Sequence, residues 1–127
     1  MEIEYRKIKE FEKDFKKLEK KFRTLTDDLK VAQRSAIELF HIKNIDNGGI
    51  FEITGVGSNE DIRLYVLKKF ACRSIKGKGV RSGIRITYAY IPKDNLIVYI
   101  EIYFKGNKGV EDKERIIRVR KEIGGGF

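Results

Sequence analysis

The sequence predicts an α+β fold in which an N-terminal helical hairpin packs on a mainly antiparallel sheet of about four strands, with a C-terminal helix after it. Two observations predict this class. Apolar residues recur at helical spacing near both ends of the chain, and they alternate with polar residues between those ends. With 127 residues and 41% hydrophobic content, one domain spanning residues 1–127 is expected, and its core is large enough to fold without disulfides.

The first third of the chain is predicted to form a short strand and two helices. Ile3 and Tyr5 alternate with polar residues, as in a strand. The apolar face of the first helix consists of Phe11, Phe15, Leu18 and Phe22. Thr24, with Asp27 three residues later, is the predicted cap of a second helix. Its apolar face consists of Leu29, Ala32, Ala36, Ile37 and Phe40, so the two helices are expected to form a hairpin.

Residues 44–60 are interpreted as a variable loop insertion. Asn47, Gly48 and Gly49 end the helical pattern, and further glycines mark turns around a candidate short strand at residues 50–54.

Alternation then predicts strands at residues 63–73, 83–91 and 96–105. Residues 92–95 form the turn between the last two strands, and all three pair most simply as an antiparallel meander. Arg85 projects from the strand face opposite Ile84, Ile86, Tyr88 and Tyr90. On the last strand, Leu96, Val98, Ile100, Ile102 and Phe104 share one face, and Tyr99, Glu101, Tyr103 and Lys105 share the other. Arg85, Tyr103 and Lys105 are therefore expected to converge.

The final element is a helix that begins at Asp112 and turns Ile116, Val119 and Ile123 inward. Glycines end it, and residues 124–127 are a short Gly-rich tail.

The positive charge is concentrated in residues 62–93, which contain nine Lys or Arg residues and no Asp or Glu. The remaining 19 basic residues balance the 19 acidic ones, so the net charge of +9 belongs to this segment. A basic surface without carboxylates suits a polyphosphate partner, and RNA is the leading prediction. The alternative is a generally basic protein whose long cationic side chains cover apolar surface.

Composition excludes several kinds of chemistry. A single His and a single Cys exclude, or nearly exclude, a histidine-pair nuclease, a zinc site and a Cys/His hydrolase. With one Cys, no internal disulfide can form. The sequence has no secretory leader pattern and no long apolar run, so a cytoplasmic protein without a membrane span is expected.

One stretch carries a family resemblance. Residues 70–88 and 103–108 combine a basic turn, a Gly-x-Arg on the next strand and a Lys-rich strand end. Together with the helix phrase of residues 11–18, they resemble the RelE branch of the RelE/ParE superfamily, the toxins of bacterial and archaeal type II toxin–antitoxin pairs. The resemblance covers nearly the whole chain, although residues 43–60 are longer than the usual connection and no tyrosine lies between Glu111 and Ile123.

The resemblance implies an mRNA interferase, an endoribonuclease that needs no metal or other cofactor and cuts messenger RNA bound in the ribosome. The implied catalytic residues are Arg85, Lys105, Lys108 and Tyr103. Arg85 would clamp the phosphate with its forked guanidinium, Tyr103 would stack on a base or position a hydroxyl, and a lysine would serve as acid or base. The implied RNA-binding residues are Arg73, Lys76, Lys78 and Arg81. The implied partners are messenger RNA, the ribosome and a cognate antitoxin protein.

Simpler interpretations of single residues stay open. Arg85 could pair with Glu101 across the strands, and Tyr103 could belong to the core. His41 is interpreted as a capping or surface residue, and Cys72 as a small apolar side chain in a strand. The glycines at positions 77, 79 and 83 indicate a turn and not a phosphate cradle.

Two other functions also stay open. One is a non-catalytic, ParE-like toxin that inhibits DNA gyrase. The other is an inactive relative that binds RNA or an acidic partner.

Overall fold

The computed structural model describes residues 2–125, which form an α+β fold with a five-stranded sheet between two helical layers. The elements in chain order are β1 (Glu4–Lys7), α1 (Lys9–Lys21), α2 (Leu25–Ala32), a π-helical turn (Gln33–Ile37), α3 (Glu38–His41), β2 (Ile50–Glu52), β3 (Arg63–Leu67), β4 (Ile84–Ile91), a 3₁₀ turn (Pro92–Asp94), β5 (Leu96–Phe104) and α4 (Lys113–Gly124). The predicted α+β class, the helical hairpin and the C-terminal helix are confirmed.

The sheet has the strand order β1-β5-β4-β3-β2. The predicted antiparallel meander of β3, β4 and β5 is confirmed. β2 adds an antiparallel edge beside β3, and β1 pairs parallel with β5 at the other edge. The sheet therefore has five strands where about four were expected, because short segments at both edges join it.

Both faces of the sheet are covered. The hairpin packs on one face, where Phe11, Leu25 and Ile37 belong to the same buried cluster as Tyr88 and Tyr99. On the opposite face α4 places Ile116 and Val119 against Leu64, Val98 and Ile100. A strand buried on both faces has almost no polar positions, which accounts for the uninterrupted apolar run at the start of β5.

A β-bulge in β5 changes which side chains face each layer. Thr87 pairs with Glu101 and the next residue, Tyr88, pairs with Tyr99, so Ile100 is the extra residue. The single apolar face predicted for β5 is therefore wrong. Leu96, Val98 and Ile100 pack toward α4, whereas Ile97, Tyr99 and Ile102 pack toward the hairpin. One inserted residue reverses the alternation along the strand.

β3 ends at Leu67 and not at residue 73, as the alternation predicted. Its last contact with the edge strand is the Lys68 N–H bond to the Gly49 carbonyl, 2.8 Å. Beyond this point Phe70 makes only an isolated bridge to Arg81. Cys72 is buried, as an apolar side chain should be, but lies in a loop and not in a strand.

The predicted turn between β3 and β4 is confirmed. Gly77, Gly79 and Gly83 have φ values of 78°, 54° and 87°, which other residues adopt at a cost. The 44–60 segment contains β2 and three buried side chains, Ile50, Ile53 and Val56.

Thr24 stands at the N-cap position of α2, but its hydroxyl bonds no helix N–H. It donates instead to Asp28 Oδ2 at 2.6 Å and shares a hydrogen bond with Ser74 Oγ at 2.8 Å. The predicted capping role of Thr24 with Asp27 is therefore wrong, because the β3–β4 loop occupies these groups. The same bonds fasten that loop to the hairpin.

The start of α4 is as predicted, since the Asp112 carboxylate accepts the Arg115 N–H at 3.1 Å. The predicted tail at residues 124–127 is described only in part: Gly124 closes the helix, and Gly126 and Phe127 lie outside the described residues. Within residues 2–125, no helix is long and apolar enough to cross a bilayer.

Candidate functional site

The candidate site lies where β4 begins and β5 ends, on the sheet face that carries α4. Arg85 on β4 is directly opposite Tyr103 on β5. These two side chains were expected to converge, and the β-bulge in β5 is what sets them opposite each other, because the register at the turn, with Ile91 opposite Leu96, would otherwise place Arg85 opposite Ile102. The bulge turns both Glu101 and Tyr103 to this face, so that they project side by side near the end of β5.

Arg85 has an unusual environment for a charged side chain. Its Nε is buried and has no hydrogen-bond partner within the described part of the chain. The alternative in which Arg85 pairs with Glu101 is not found, since no ion pair joins them. A buried charged donor without a partner costs about 1–3 kcal/mol or more. An incoming oxygen anion would supply the missing acceptor.

Tyr103 is buried to 5% exposure, so the interpretation that it belongs to the core is partly correct. Its hydroxyl points to Glu111 Oε2 at 3.5 Å. Burial raises the pKa of Tyr103, the Glu111 charge raises it further, and Arg85 opposes both. At neutral pH the hydroxyl therefore keeps its proton and acts as a hydrogen-bond donor.

Glu101 was not predicted as a site residue, yet it organises the site. Its carboxylate is 3% exposed and binds the Lys108 ammonium. The other oxygen accepts the Asp112 N–H at 2.8 Å. One carboxylate thus holds the β5–α4 loop and the first residues of α4 against the sheet. Its only sequence signal is a single acid within the apolar strand.

The Glu101 bond fixes the position of Lys108. The Lys108 Nζ lies 5.6 Å from the centre of the Tyr103 ring, at cation–π distance. Lys108, Tyr103 and Arg85 therefore form one group. The sequence predicted a site of cations and one tyrosine, whereas the structure places two carboxylates, Glu101 and Glu111, among them.

Lys105 follows the end of β5, and its side chain is exposed. Its N–H donates to the Gly83 carbonyl at 2.8 Å, which ties the start of β4 to the end of β5. Gly83 has φ 87° and would place a Cβ 3.2 Å from the Phe104 ring. A larger residue there would therefore displace this end of the strand pair.

The predicted RNA-binding residues lie in the β3–β4 loop and divide into two kinds. Arg73 is held by Asp27 and Asp28, at 3.5 Å and 3.4 Å. Lys76, Lys78 and Arg81 are exposed and make no side-chain ion pair within residues 2–125.

That loop is anchored at both ends. The Ser82 hydroxyl donates to the Phe70 carbonyl at 2.5 Å, and Thr24 binds Ser74 near the other end. The loop that carries Lys76, Lys78 and Arg81 is therefore fixed at its ends. These three side chains precede Arg85 in the sequence by at least four residues.

Within the described residues, no three His, Cys, Asp or Glu side chains come together in a way that could hold a metal ion. The two carboxylates of the site are occupied by Lys108, the Asp112 N–H and Tyr103. The groups available to a ligand are therefore cationic and hydroxyl donors.

The chain has a RelE-like fold. Its structure is similar to that of the archaeal RelE–RelB complex from Pyrococcus horikoshii OT3, with a TM-score of 0.50 and 15% sequence identity. The similarity covers 84% of this chain and 98% of the archaeal one. At this identity it establishes the fold alone. No protein-family model matches the sequence, and no curated protein matches it.

Proposed function

We propose that this chain is the toxin of a toxin–antitoxin pair and that it cleaves messenger RNA on the ribosome without a metal ion. The observation that carries the proposal is the unpartnered, buried Nε of Arg85 beside Tyr103 and Lys108. The RelE fold and the unbalanced charge of residues 62–93 support it.

In the proposed reaction, the 2′-oxygen of the RNA attacks the adjacent phosphorus. The O2′–P bond forms, the P–O5′ bond breaks, and the products are a 2′,3′-cyclic phosphate and a 5′-hydroxyl. A base removes the 2′ proton and an acid protonates the leaving 5′-oxygen. The enzyme must also neutralise the charge that grows on the phosphoryl oxygens.

Arg85 is assigned to the phosphoryl oxygens. A guanidinium offers parallel donors that match a phosphate and stays charged at all working pH values. Because its Nε has no internal partner, binding an oxygen there breaks no existing bond. The donor is thus in place before the charge develops, which is the arrangement that lowers a barrier most.

Tyr103 and Lys108 are assigned to proton transfer and positioning. The Tyr103 hydroxyl is protonated because burial raises its pKa, so it can donate to the leaving oxygen or to a phosphoryl oxygen. Lys108 stands over the same ring, held by Glu101. Lys105, at the exposed rim, supplies a further positive charge near the strand end.

Lys76, Lys78 and Arg81 are assigned to the RNA or ribosome backbone. They are exposed on the anchored loop, and phosphate contacts of this kind position a substrate without choosing its sequence. Arg73 would contribute less, since Asp27 and Asp28 already hold it.

The partner in the cell is proposed to be a cognate antitoxin. The archaeal neighbour was solved as a RelE–RelB complex, and a basic surface with three free cations is suited to an acidic or amphipathic segment. Such a segment would cover this basic surface while the toxin is held inactive.

The test is single-turnover cleavage of message on programmed ribosomes. Arg85→Ala should slow cleavage about a hundredfold or more while RNA affinity changes far less. Arg85→Lys should recover little, because the fork of donors is lost. Arg34→Ala is the matched control, since Arg34 is an exposed arginine on the hairpin.

Thermal melting confirms that each variant is folded. If folded Arg85→Ala cleaves at the wild-type rate, the catalytic assignment is wrong. If the wild-type protein cuts no message but inhibits gyrase supercoiling, the non-catalytic ParE-like alternative holds.

A further inference from the structure

A polar cavity lies on the face of the sheet opposite the candidate site, between the end of α3 and strands β3 and β4. Its volume is about 320 Å³, within the range of about 300–1,000 Å³ usual for small-molecule sites. Phe40, His41, Tyr65 and Tyr90 form its walls, and Arg63 lies at its rim. Tyr90 is five residues from Arg85 along β4, about 17 Å at the usual rise per residue, so this cavity is distinct from the candidate catalytic site.

The cavity walls are a fixed aromatic cluster. The His41 ring centre lies 4.1 Å from that of Tyr90, 5.0 Å from that of Tyr65 and 4.8 Å from that of Phe40. His41 Nε2 also shares a hydrogen bond of 2.7 Å with the hydroxyl of Tyr88. The interpretation of His41 as a capping or surface residue is therefore wrong, because α3 packs its last residue onto the sheet.

This cluster is electrically neutral at physiological pH. Burial lowers the pKa of His41 to about 4, and the nearby Arg63 charge contributes in the same direction. A neutral imidazole among tyrosine rings offers flat, apolar surface for stacking and one further ring nitrogen for hydrogen bonding.

The rim of the cavity carries a cationic side chain, carboxylates and an amide. Arg63 lies opposite Tyr90 in the register of β3 and β4, and its side chain is exposed. It makes no ion pair within residues 2–125. Asp46 lies on the loop side, where its Oδ1 accepts the Gly48 N–H at 2.7 Å and leaves Oδ2 available. Asn44, in the left-handed region at φ 56°, adds an amide. Glu52 lies opposite Tyr65 on β2 and is the second carboxylate in this neighbourhood.

From this combination we infer that the cavity binds a nucleotide. A base can stack on the Tyr90 ring, as bases do on aromatic side chains. A phosphate can take the forked donors of Arg63, and ribose hydroxyls can donate to the Asp46 carboxylate, as they do to acidic residues of other nucleotide sites. A free phosphate alone would use only Arg63, and an apolar ligand would make no use of Arg63, Asp46 or Asn44. The inference stands on this cavity and does not depend on the proposed function.

The probes are adenosine monophosphate, adenosine, inorganic phosphate and a three-residue oligoadenylate. His41 is the only histidine of the chain, so its ring protons give an assigned NMR signal inside the cavity. Adenosine monophosphate should shift this signal in a saturable manner. Adenosine should bind more weakly, and inorganic phosphate at equal concentration should not shift it.

Two variants test the contacts separately. Arg63→Gln should weaken adenosine monophosphate binding fivefold or more, about 1 kcal/mol, and leave adenosine binding unchanged. Tyr90→Leu keeps apolar bulk but removes the ring, so it should weaken both ligands. Arg23→Gln, an exposed arginine at the α1–α2 turn, should change neither.

The outcomes separate the sources of the nucleotide. Tighter binding of the oligoadenylate than of the mononucleotide, with loss in Tyr90→Leu, indicates a residue of an RNA strand. Equal or weaker binding of the oligoadenylate indicates a free nucleotide. The inference is overturned if no probe shifts the His41 signal at about 10 mM, which would detect even a dissociation constant near 1 mM. It is also overturned if binding is the same in folded Arg63→Gln and in the wild type.

Discussion

The ion pair between Glu101 and Lys108 is expected to stabilise the β5–α4 loop, and the change Lys108→Met tests this. Methionine keeps an unbranched side chain of nearly the same length but removes the charge and the ammonium group that lies over Tyr103. Glu101 is then left 3% exposed with one remaining donor, the Asp112 N–H. A buried carboxylate that has lost its cation is destabilising.

The size of the effect follows from the exposure of the two partners. Removing one partner of a fully buried ion pair costs about 3–5 kcal/mol. The Lys108 side chain is 41% exposed, so water can solvate the uncovered carboxylate and a cost of about 1–2 kcal/mol is expected. At about 4 °C per kcal/mol for a domain of this size, Tm should fall by about 4–8 °C.

The assay is thermal and urea unfolding of four proteins: wild type, Lys108→Met, Glu101→Gln and the double variant. Glutamine is neutral and can still accept the Asp112 N–H, so the double variant should be more stable than Lys108→Met. The coupling energy from this cycle should be about 1 kcal/mol.

Lys105→Met is the matched control, because Lys105 is exposed in the same loop. The reasoning is refuted if Lys108→Met melts together with Lys105→Met and the wild type, or if the double variant is no more stable than Lys108→Met. Either result would mean that the pair contributes nothing to holding the loop.

Three further predictions concern binding, the partner and pH. The affinity for single-stranded RNA should fall with salt at a log–log slope of about −3 to −5, since each phosphate contributes about −0.7. Replacing Lys76, Lys78 and Arg81 by Ala should flatten it, and a wild-type slope near zero would exclude nucleic acid. Overproduction should arrest growth, and purification from the native host should give a complex with an acidic partner; recovery of the chain alone, with unaffected growth, would contradict the toxin proposal. The His41 pKa of about 4 is below its unfolded value of 6.5, chiefly through burial, so the unfolded state binds more protons between these pH values. The free energy of unfolding should therefore rise with pH across that window and level off above it. His41→Gln should remove this part of a urea-unfolding pH profile, and an unchanged profile would show that His41 titrates normally.

Periodicity was sufficient for the elements that carry the site. The spacing of Phe11, Phe15 and Leu18 predicts a helix because only one face of it can be buried. The alternation of β4 places Arg85 on the face opposite Ile84 and Ile86 for the same reason. The cap at Asp112 is local in sequence, and the structure has it as predicted. The opposition of Arg85 and Tyr103 does not follow from these patterns and the short turn alone. The register at the turn, with Ile91 opposite Leu96, would carry Arg85 to Ile102, and the bulge in β5 shifts it by one residue to Tyr103.

The bulge at Ile100 could not be predicted in this way. Every residue of that stretch from Leu96 to Ile100 is apolar, and both faces of the strand are buried, so no polar position marks where the alternation reverses. The consequence is large, because the bulge separates Tyr99, on the hairpin side, from Glu101 and Tyr103, which it brings to the face that carries Arg85.

The sequence by itself determined the fold class, the order of the elements and the location of the unbalanced charge, since these depend on spacing and composition along the chain. The tertiary structure alone decided the pairing of Glu101 with Lys108, the retention of Arg73 by Asp27 and Asp28, and the burial of His41 among tyrosines. Each of these contacts joins residues from separate elements or from opposite ends of a loop. The energy of such a contact depends on the distance between the groups, their burial and the dielectric environment. These quantities are defined only when the chain has folded.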